Sequence, residues 1–434
     1  MNQYYQFLFF YLYSVCFCYV KIPFQTSYQS NISENNIYSN LITNYIYSNI
    51  CFGSDKQCFK LNIQLQSPQI AIIGSEFNSP YPKFNSKSSN TYIQGELKNI
   101  SQTNTLIVED ETFEINYTSY ESIDTIYLEK NKEIKQFNFL VVKENFSPQN
   151  FVVNSGILGF DLRKKSTISE KSFFVYQLKK NDIISSDVFY FSYNDAHTGN
   201  VFIGKYPHEI SSEFKQENLI ETYTHKLGGE VMWGLEFENI KYNGTDVDYG
   251  EKIGIFSIEI GVIVGPSHLN KLYNNTFFKQ YIEQGLCREE YSTYESYSCD
   301  DSSKIQFDLL QPLQFYHKDL NKTFVFTYED LFYTFQGRKY FLLSFCIGDL
   351  FDTYWFLGKP FFKKYAIYFK PDSKRIGTYK DIESKGGFGY WFIFAGTSSL
   401  IVGFLVYFAL FVFVKPRKKR AIELDDDYDY IPKA

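Results

Sequence analysis

Gly156-Ile157-Leu158-Gly159-Phe160 and Tyr354-Trp355-Phe356-Leu357-Gly358 lie far apart in the chain and carry one device, an apolar pair closed by a glycine. Glycine lets two backbones approach where a Cβ would collide. A device used twice predicts two lobes of one design, each with a short apolar strand threading a looped neighbour. The remainder of the chain agrees. Phe, Tyr and Trp make up 20% of the 434 residues, and aromatic and β-branched side chains favour pleated, half-buried strands. Short strand-like runs alternate with Asn, Ser, Asp and Gly punctuation. Helical candidates are few, with residues 170–180 and 268–283 the best. The length suffices for two sizeable cores.

The formal net charge is −6, and the only basic block lies near the C-terminus. No nucleic-acid partner is expected from such a distribution. No Cys/His cluster has metal-ligand spacing, so neither a metal nor another cofactor is expected.

Residues 7–20 form an apolar run behind the initiator Met. The run is short for a membrane span and reads as the core of a signal peptide over residues 1–18, with a buried N-terminal strand as the rival reading. Residues 390–414 are 25 consecutive residues without a charge. At about 1.5 Å per residue they can cross a bilayer core of about 30 Å as one transmembrane helix. Lys415, Arg417, Lys418, Lys419 and Arg420 follow at once. The positive-inside rule then places the tail, residues 415–434, in the cytoplasm and the body in the lumen or outside. The expectation is a single-pass type I membrane protein of the secretory or endolysosomal route. Tyr428-Asp429-Tyr430-Ile431 has the form of a sorting signal. Luminal exposure agrees with glycosylation sequons at Asn31, Asn99, Asn116, Asn145, Asn243, Asn274 and Asn321.

Several partial motifs stand in one order. Phe52-Gly53 with Gln57 and Phe59 comes first, followed by Phe84-Asn85-Ser86-Lys87-Ser88-Ser89-Asn90-Thr91-Tyr92. Next come Ser155-Gly156-Ile157-Leu158-Gly159, Phe189-Tyr190-Phe191 and Gly199-Asn200-Val201-Phe202-Ile203-Gly204. Trp233-Gly234-Leu235 opens the second half, and Phe356-Leu357-Gly358, Phe361-Phe362, Tyr365, Phe369 and Arg375-Ile376-Gly377 close it. In this order they resemble the pepsin-like aspartic peptidases across nearly the whole body. The resemblance implies an all-β, bilobed fold of two pseudo-symmetric barrel-like lobes around a central cleft, followed by the transmembrane helix. Residues 40–210 and 211–383 are the expected lobes. Residues 19–39 are a short pro-like segment, since Lys21-Ile22-Pro23-Phe24 resembles the start of the family's prosegment without its basic run.

Family catalysis needs two aspartates, each in an Asp-Thr/Ser-Gly loop, sharing a proton around a water. Carboxylates about 3 Å apart cannot both ionise, so one serves as base and the other as acid. The chain has no Asp-Thr-Gly or Asp-Ser-Gly. Counting from Gly53 puts Gln64 at the first dyad position, and an amide cannot take a proton from water. Ile258-Glu259-Ile260-Gly261 before Val264-Gly265-Pro266 puts Glu259 at the second. Its extra methylene moves the carboxylate by about 1.5 Å, and displacements of that size cost about 100-fold in rate. Leu65 and Ile260 replace the hydroxyl residues that join the family's loops, so an apolar contact is the expected substitute. A hydrogen-bonded Gln64–Glu259 pair on the cleft floor is the expected non-catalytic arrangement. Glu114-Ile115-Asn116-Tyr117 resembles the flap strand and makes Tyr117 the flap tyrosine, or one tyrosine among many in the core. Asp124 and Glu121 are the nearby acids that could serve instead.

Cys16 and Cys18 leave with the signal peptide, and the remaining cysteines pair in an oxidising lumen. Cys51 and Cys58 flank a Gly-Ser-Asp turn and are expected to face each other across a hairpin. Cys299 and Cys346 sit where the family bridges its second lobe, a closure contributing about 4 kcal/mol. Cys287 is then unpaired or competes for Cys299.

Three functional readings follow. The first is an inactive family member whose interlobe cleft binds a peptide or protein partner. The others are an active acid endopeptidase and a surface scaffold or adhesion glycoprotein.

Overall fold

The structure, a computed structural model, describes residues 19–381 apart from 27–36, 43–44, 68, 109–110, 129–131, 146–153, 163–172, 228–229, 248–251, 293 and 348–353. The expected signal peptide, transmembrane helix and cytoplasmic tail, and the sequon at Asn31, lie outside the described residues. Among the described residues no helix is long and apolar enough to cross a membrane.

Each half of the chain threads one strand through a loop. In the first half, Gly156–Gly159 runs parallel to Gln57–Gln64 and antiparallel to Ile70–Ile73, so it lies between the two arms of the loop that joins them. In the second half, Tyr354–Leu357 runs parallel to Ile253–Phe256 and antiparallel to Ile263–Gly265. The repetition extends outward, because Ile70–Ile73 pairs in parallel with Glu133–Asn145 and Ile263–Gly265 with Leu343–Phe345. These central strands are buried at every residue except Tyr354 at the start of one. Strands covered on both faces take continuous apolar sequence, which is what Ile70–Ile73 and Ile253–Phe256 show.

The threading strands end on glycine for a steric reason. A Cβ on Gly159 would lie 2.0 Å from the carbonyl oxygen of Ser67, and one on Gly358 would lie 2.0 Å from that of Val262 and 2.4 Å from that of Ile260. No side chain fits at such distances.

The two halves share a sheet. A 13-stranded sheet takes Leu219–Tyr223, Arg375–Tyr379 and Tyr368–Lys370 together with Phe189–Tyr193, Thr198–Ile203 and Val20–Thr26, then continues through the strands of the first half. Among the described residues a 9-stranded, a 4-stranded and a 2-stranded sheet make up the rest of the second half. Val20–Thr26, within the stretch expected as a pro-like segment, pairs with Thr198–Ile203 from Val20↔Ile203 to Gln25↔Thr198. Its alternation explains the placement: Val20, Ile22, Phe24 and Thr26 point inward, and Lys21, Pro23 and Gln25 outward.

One aromatic-rich core spans the junction. Trp233 packs edge-on against Phe189 at 5.8 Å and Phe369 at 4.9 Å, while Phe160 lies 5.0 Å from Phe189. Such pairs each add about 0.5–1.5 kcal/mol to simple burial. The helical expectation at 268–283 is met by consecutive turns His268–Tyr273, Asn274–Phe278 and Lys279–Glu283, the middle one a π-helix, with Leu269, Tyr273, Phe277 and Tyr281 buried. Phe174–Lys180 is helical within the other stretch.

The disulfides are Cys51–Cys58 and Cys287–Cys299. The first is the expected hairpin bridge, with the two cysteines opposite each other in register. The second corrects the Cys299–Cys346 pairing that the resemblance implied. Cys287 stands directly opposite Cys299 on neighbouring antiparallel strands, Cα atoms 4.0 Å apart, so the local hairpin presents the partner first. Cys346 stays a buried thiol, its N–H donating to the Gly265 carbonyl at 3.0 Å.

Candidate active site

Register fixes which residues occupy equivalent positions in the two halves. Gln64 is level with Gly159, and the Phe160 N–H donates to the Gln64 carbonyl at 2.8 Å. In the second half Phe256 is level with Leu357, which places Ser257 level with Gly358; the Ser257 N–H donates to the Leu357 carbonyl at 3.2 Å. The close approaches agree, since Gly159 faces Ser67, three residues after Gln64, and Gly358 faces Ile260, three after Ser257. Ser257 therefore stands symmetrically to Gln64, and Glu259 is symmetric to Gln66. Placing Glu259 at the second dyad position, as the motif before Val264-Gly265-Pro266 suggests, needs the second loop to be two residues shorter than the first, whereas the ladder makes the span from Ile63 to Ile70 equal to that from Phe256 to Ile263.

Neither symmetric position carries a carboxyl group. Gln64 is buried, and its Oε1 has no hydrogen-bond partner among the described residues. The Glu259 carboxylate is buried, with 1% exposure. Its Oε1 accepts the Leu65 N–H at 2.9 Å and its Oε2 accepts the Ser257 hydroxyl at 2.9 Å. The expected Gln64–Glu259 hydrogen bond is not made. Nor do Leu65 and Ile260 meet; they belong to separate apolar clusters. On this register the residue symmetric to Leu65 is Ile258, which shares one apolar core with it, and beside them a buried carboxylate of one half takes a backbone N–H of the other.

Burial pushes the Glu259 pKa up to about 7, against the pull of its hydrogen bonds, and the nearby Asp161 carboxylate pushes in the same direction. The Tyr45 and Tyr193 hydroxyls are also raised, by burial first and by the Glu259 charge second. Asp161 is an acid that sequence reasoning misses. It follows Gly159-Phe160 at the end of the threading strand, is buried, and accepts the Leu162 N–H at 2.7 Å. Its position beside the motif is the available signal.

The other candidate acids are engaged elsewhere. Asp124 accepts from the hydroxyls of Thr91 and Ser89 and from the Thr125 N–H, while Glu121 is ion-paired with Lys98. Tyr117 is buried with Ala71, Ile73, Ile100, Leu140, Val142 and Ile157, and its hydroxyl is hydrogen-bonded to Gln69. Burial raises its pKa. Among the described residues no group of three or more His, Cys, Asp and Glu side chains could hold a metal ion.

Two further contacts tie the halves together at this level. Trp233 donates its indole Nε1–H to the Phe160 carbonyl at 2.8 Å. The short helix Ile37–Ile42 lies on the second half, where the Ile42 carbonyl accepts the Gly261 N–H at 3.1 Å and the Tyr38 hydroxyl bonds Ser344 Oγ at 2.6 Å.

A mostly β chain with two threaded loops meeting at a buried polar floor is the arrangement of a bilobed aspartic peptidase. The family model for eukaryotic aspartyl protease matches residues 44–380, and the chain belongs to that family. No curated protein matches the chain. Two disulfides and this family fit a secreted or luminal body.

Proposed function

We propose that this chain is a member of the aspartyl protease family without peptidase activity, whose interlobe cleft binds a peptide or protein partner. One observation carries the reading: the two symmetric positions hold Gln64 and Ser257, neither of which can share a proton as a carboxyl pair does. Glu259 does not replace them. Both its oxygens are occupied from inside the protein, and its burial keeps it from a substrate. The body is held at a membrane by residues 390–414, with residues 415–434 in the cytoplasm, and is glycosylated on the luminal side. Asn99, Asn243 and Asn321 are exposed, as acceptor sites require, and Asn243 heads a tight turn. The test is a casein or fluorogenic-peptide assay of the full-length chain from pH 3 to 6. No turnover is expected, and pepstatin-sensitive turnover abolished by Glu259→Ala overturns the reading.

A second reading, acid proteolysis by a displaced pair, draws on the charge interaction between Asp161 and Glu259. It predicts turnover in the same assay that Asp161→Asn and Glu259→Gln each remove.

A further inference from the structure

A cavity of about 210 Å³ opens where the helices Ile37–Ile42, Tyr328–Leu331 and Lys359–Lys364 meet the turn at residues 194–197. Leu41, Pro360, Phe332 and Leu342 contribute apolar wall. The charged groups around it are unevenly satisfied. The Asp330 carboxylate is engaged through Oδ2, which accepts the N–H and hydroxyl of Thr327 at 2.8 and 3.1 Å and pairs with Lys364. Glu329 accepts the Tyr328 hydroxyl at 3.4 Å.

Lys359 is in the opposite condition. Among the described residues it has no carboxylate partner; its ammonium donates to the Ala196 carbonyl and lies 5.5 Å from the centre of the Tyr193 ring. Burial, and then repulsion from Lys363, push its pKa down to about 8. Asp195, whose charge acts the other way, is exposed and already accepts the His197 and Thr198 N–H groups and the Thr198 hydroxyl. A partly desolvated ammonium facing a cavity without a counter-ion is costly, and an anion entering the cavity relieves that cost. Lys359, Lys363 and Lys364 line it, and Lys364 is the one paired with Asp330. A single inner ammonium among apolar walls suits a compact monoanion, whereas phosphate is met by several convergent donors or by an arginine fork.

We propose that this cavity binds a carboxylate carried on a short apolar stem, with Lys359 as the inner cation and Lys363 at the mouth. The carboxylate is that of a free short-chain acid or of a glutamate or aspartate side chain on a peptide. The assignment is independent of whether the chain cleaves peptides.

The experiment follows acetylation of Lys359 in the full-length chain at pH 8, by peptide mass spectrometry, with binding heats measured in parallel. The probes are butyrate, N-acetylglutamate N-methylamide, butyramide and inorganic phosphate. A carboxylate probe at ten times its dissociation constant is expected to slow Lys359 acetylation about tenfold, while butyramide does not. Protection by butyrate alone assigns the free acid, and protection by the glutamate derivative assigns the acidic side chain. Lys359→Met removes the binding heat, and Lys363→Gln weakens binding by about fivefold at most. The proposal is overturned if neither carboxylate protects Lys359, if butyramide or phosphate protects equally, or if folded Lys359→Met binds as the wild type does. The protection measurement needs no variant, so it stands even where Lys359→Met does not fold.

Discussion

The backbone N–H of Leu65 donates to the Glu259 carboxylate at 2.9 Å, a hydrogen bond from the loop of one half to the loop of the other. The acceptor has a pKa of about 7 in the folded chain against an ordinary 4.5. The folded state therefore holds this proton more tightly than the unfolded state. Its stabilising contribution is complete below about pH 4.5 and is lost as pH rises through about 7. The loss amounts to about 3 kcal/mol, at about 1.4 kcal/mol for each pH unit between the two values. His197 and His317 titrate in the folded chain with pKa values lowered by burial. The informative quantity is thus the difference between wild type and Glu259→Gln. Urea midpoints of the full-length chain are expected to show the variant gaining on the wild type between about pH 4.5 and 7.5. A constant difference across that range contradicts the placement of Glu259.

The threading glycines admit no side chain. Gly159→Ala or Gly358→Ala puts a Cβ within 2.0 Å of a backbone carbonyl, which no rotamer change relieves. Each single variant of the full-length chain is expected to fail folding and to be retained by the expressing cell, with loss of near-UV circular dichroism in any soluble fraction. Gly244, whose surroundings are open but whose φ is +73°, is the milder control and is expected to lose only a small part of stability on substitution by asparagine.

Tyr117 is a core residue in this fold. Replacing it by alanine removes a fully buried ring and is expected to cost about 3–5 kcal/mol, read as a fall in urea midpoint. Tyr117→Phe removes only the hydrogen bond to Gln69 and is expected to cost about 1 kcal/mol. A mobile flap tyrosine gives neither loss.

Peptide mapping without reduction is expected to find Cys51–Cys58 and Cys287–Cys299, with Cys346 recovered as a thiol after unfolding in alkylating reagent. The Cys287→Ser, Cys299→Ser double variant is expected to lose about 3 kcal/mol, the value for a loop of this size. Cys346→Ala leaves the map unchanged. Recovery of a Cys299–Cys346 peptide contradicts the hairpin register.

The two apolar-apolar-glycine strands are legible in the sequence because their constraint is local. Consecutive apolar residues make a strand buried on both faces, and a glycine marks a backbone contact, whatever the rest of the chain does. The same holds for Gln64, which lies a fixed count beyond a strand that the sequence identifies. Glu259 falls two residues from its sequence-based position because nothing in the residue order acts as a ruler between Phe256 and Val264; only the ladder to Tyr354–Leu357 supplies one. The pairing of Cys299 with Cys346 fails for a related reason. Cysteine positions say that bridges form, while strand register says which sulfurs face each other.

By itself the sequence determined that this chain builds two threaded β lobes and that it contains no Asp-Thr-Gly or Asp-Ser-Gly. Those properties follow from residue types and short spacings. The tertiary structure alone decided that Ser257 occupies the position symmetric to Gln64, that Glu259 turns inward to take the Leu65 N–H, and that Lys359 lines a cavity with no carboxylate partner among the described residues. Each of these depends on groups remote in sequence being brought within hydrogen-bonding or Coulombic range, which residue order does not encode in any local pattern.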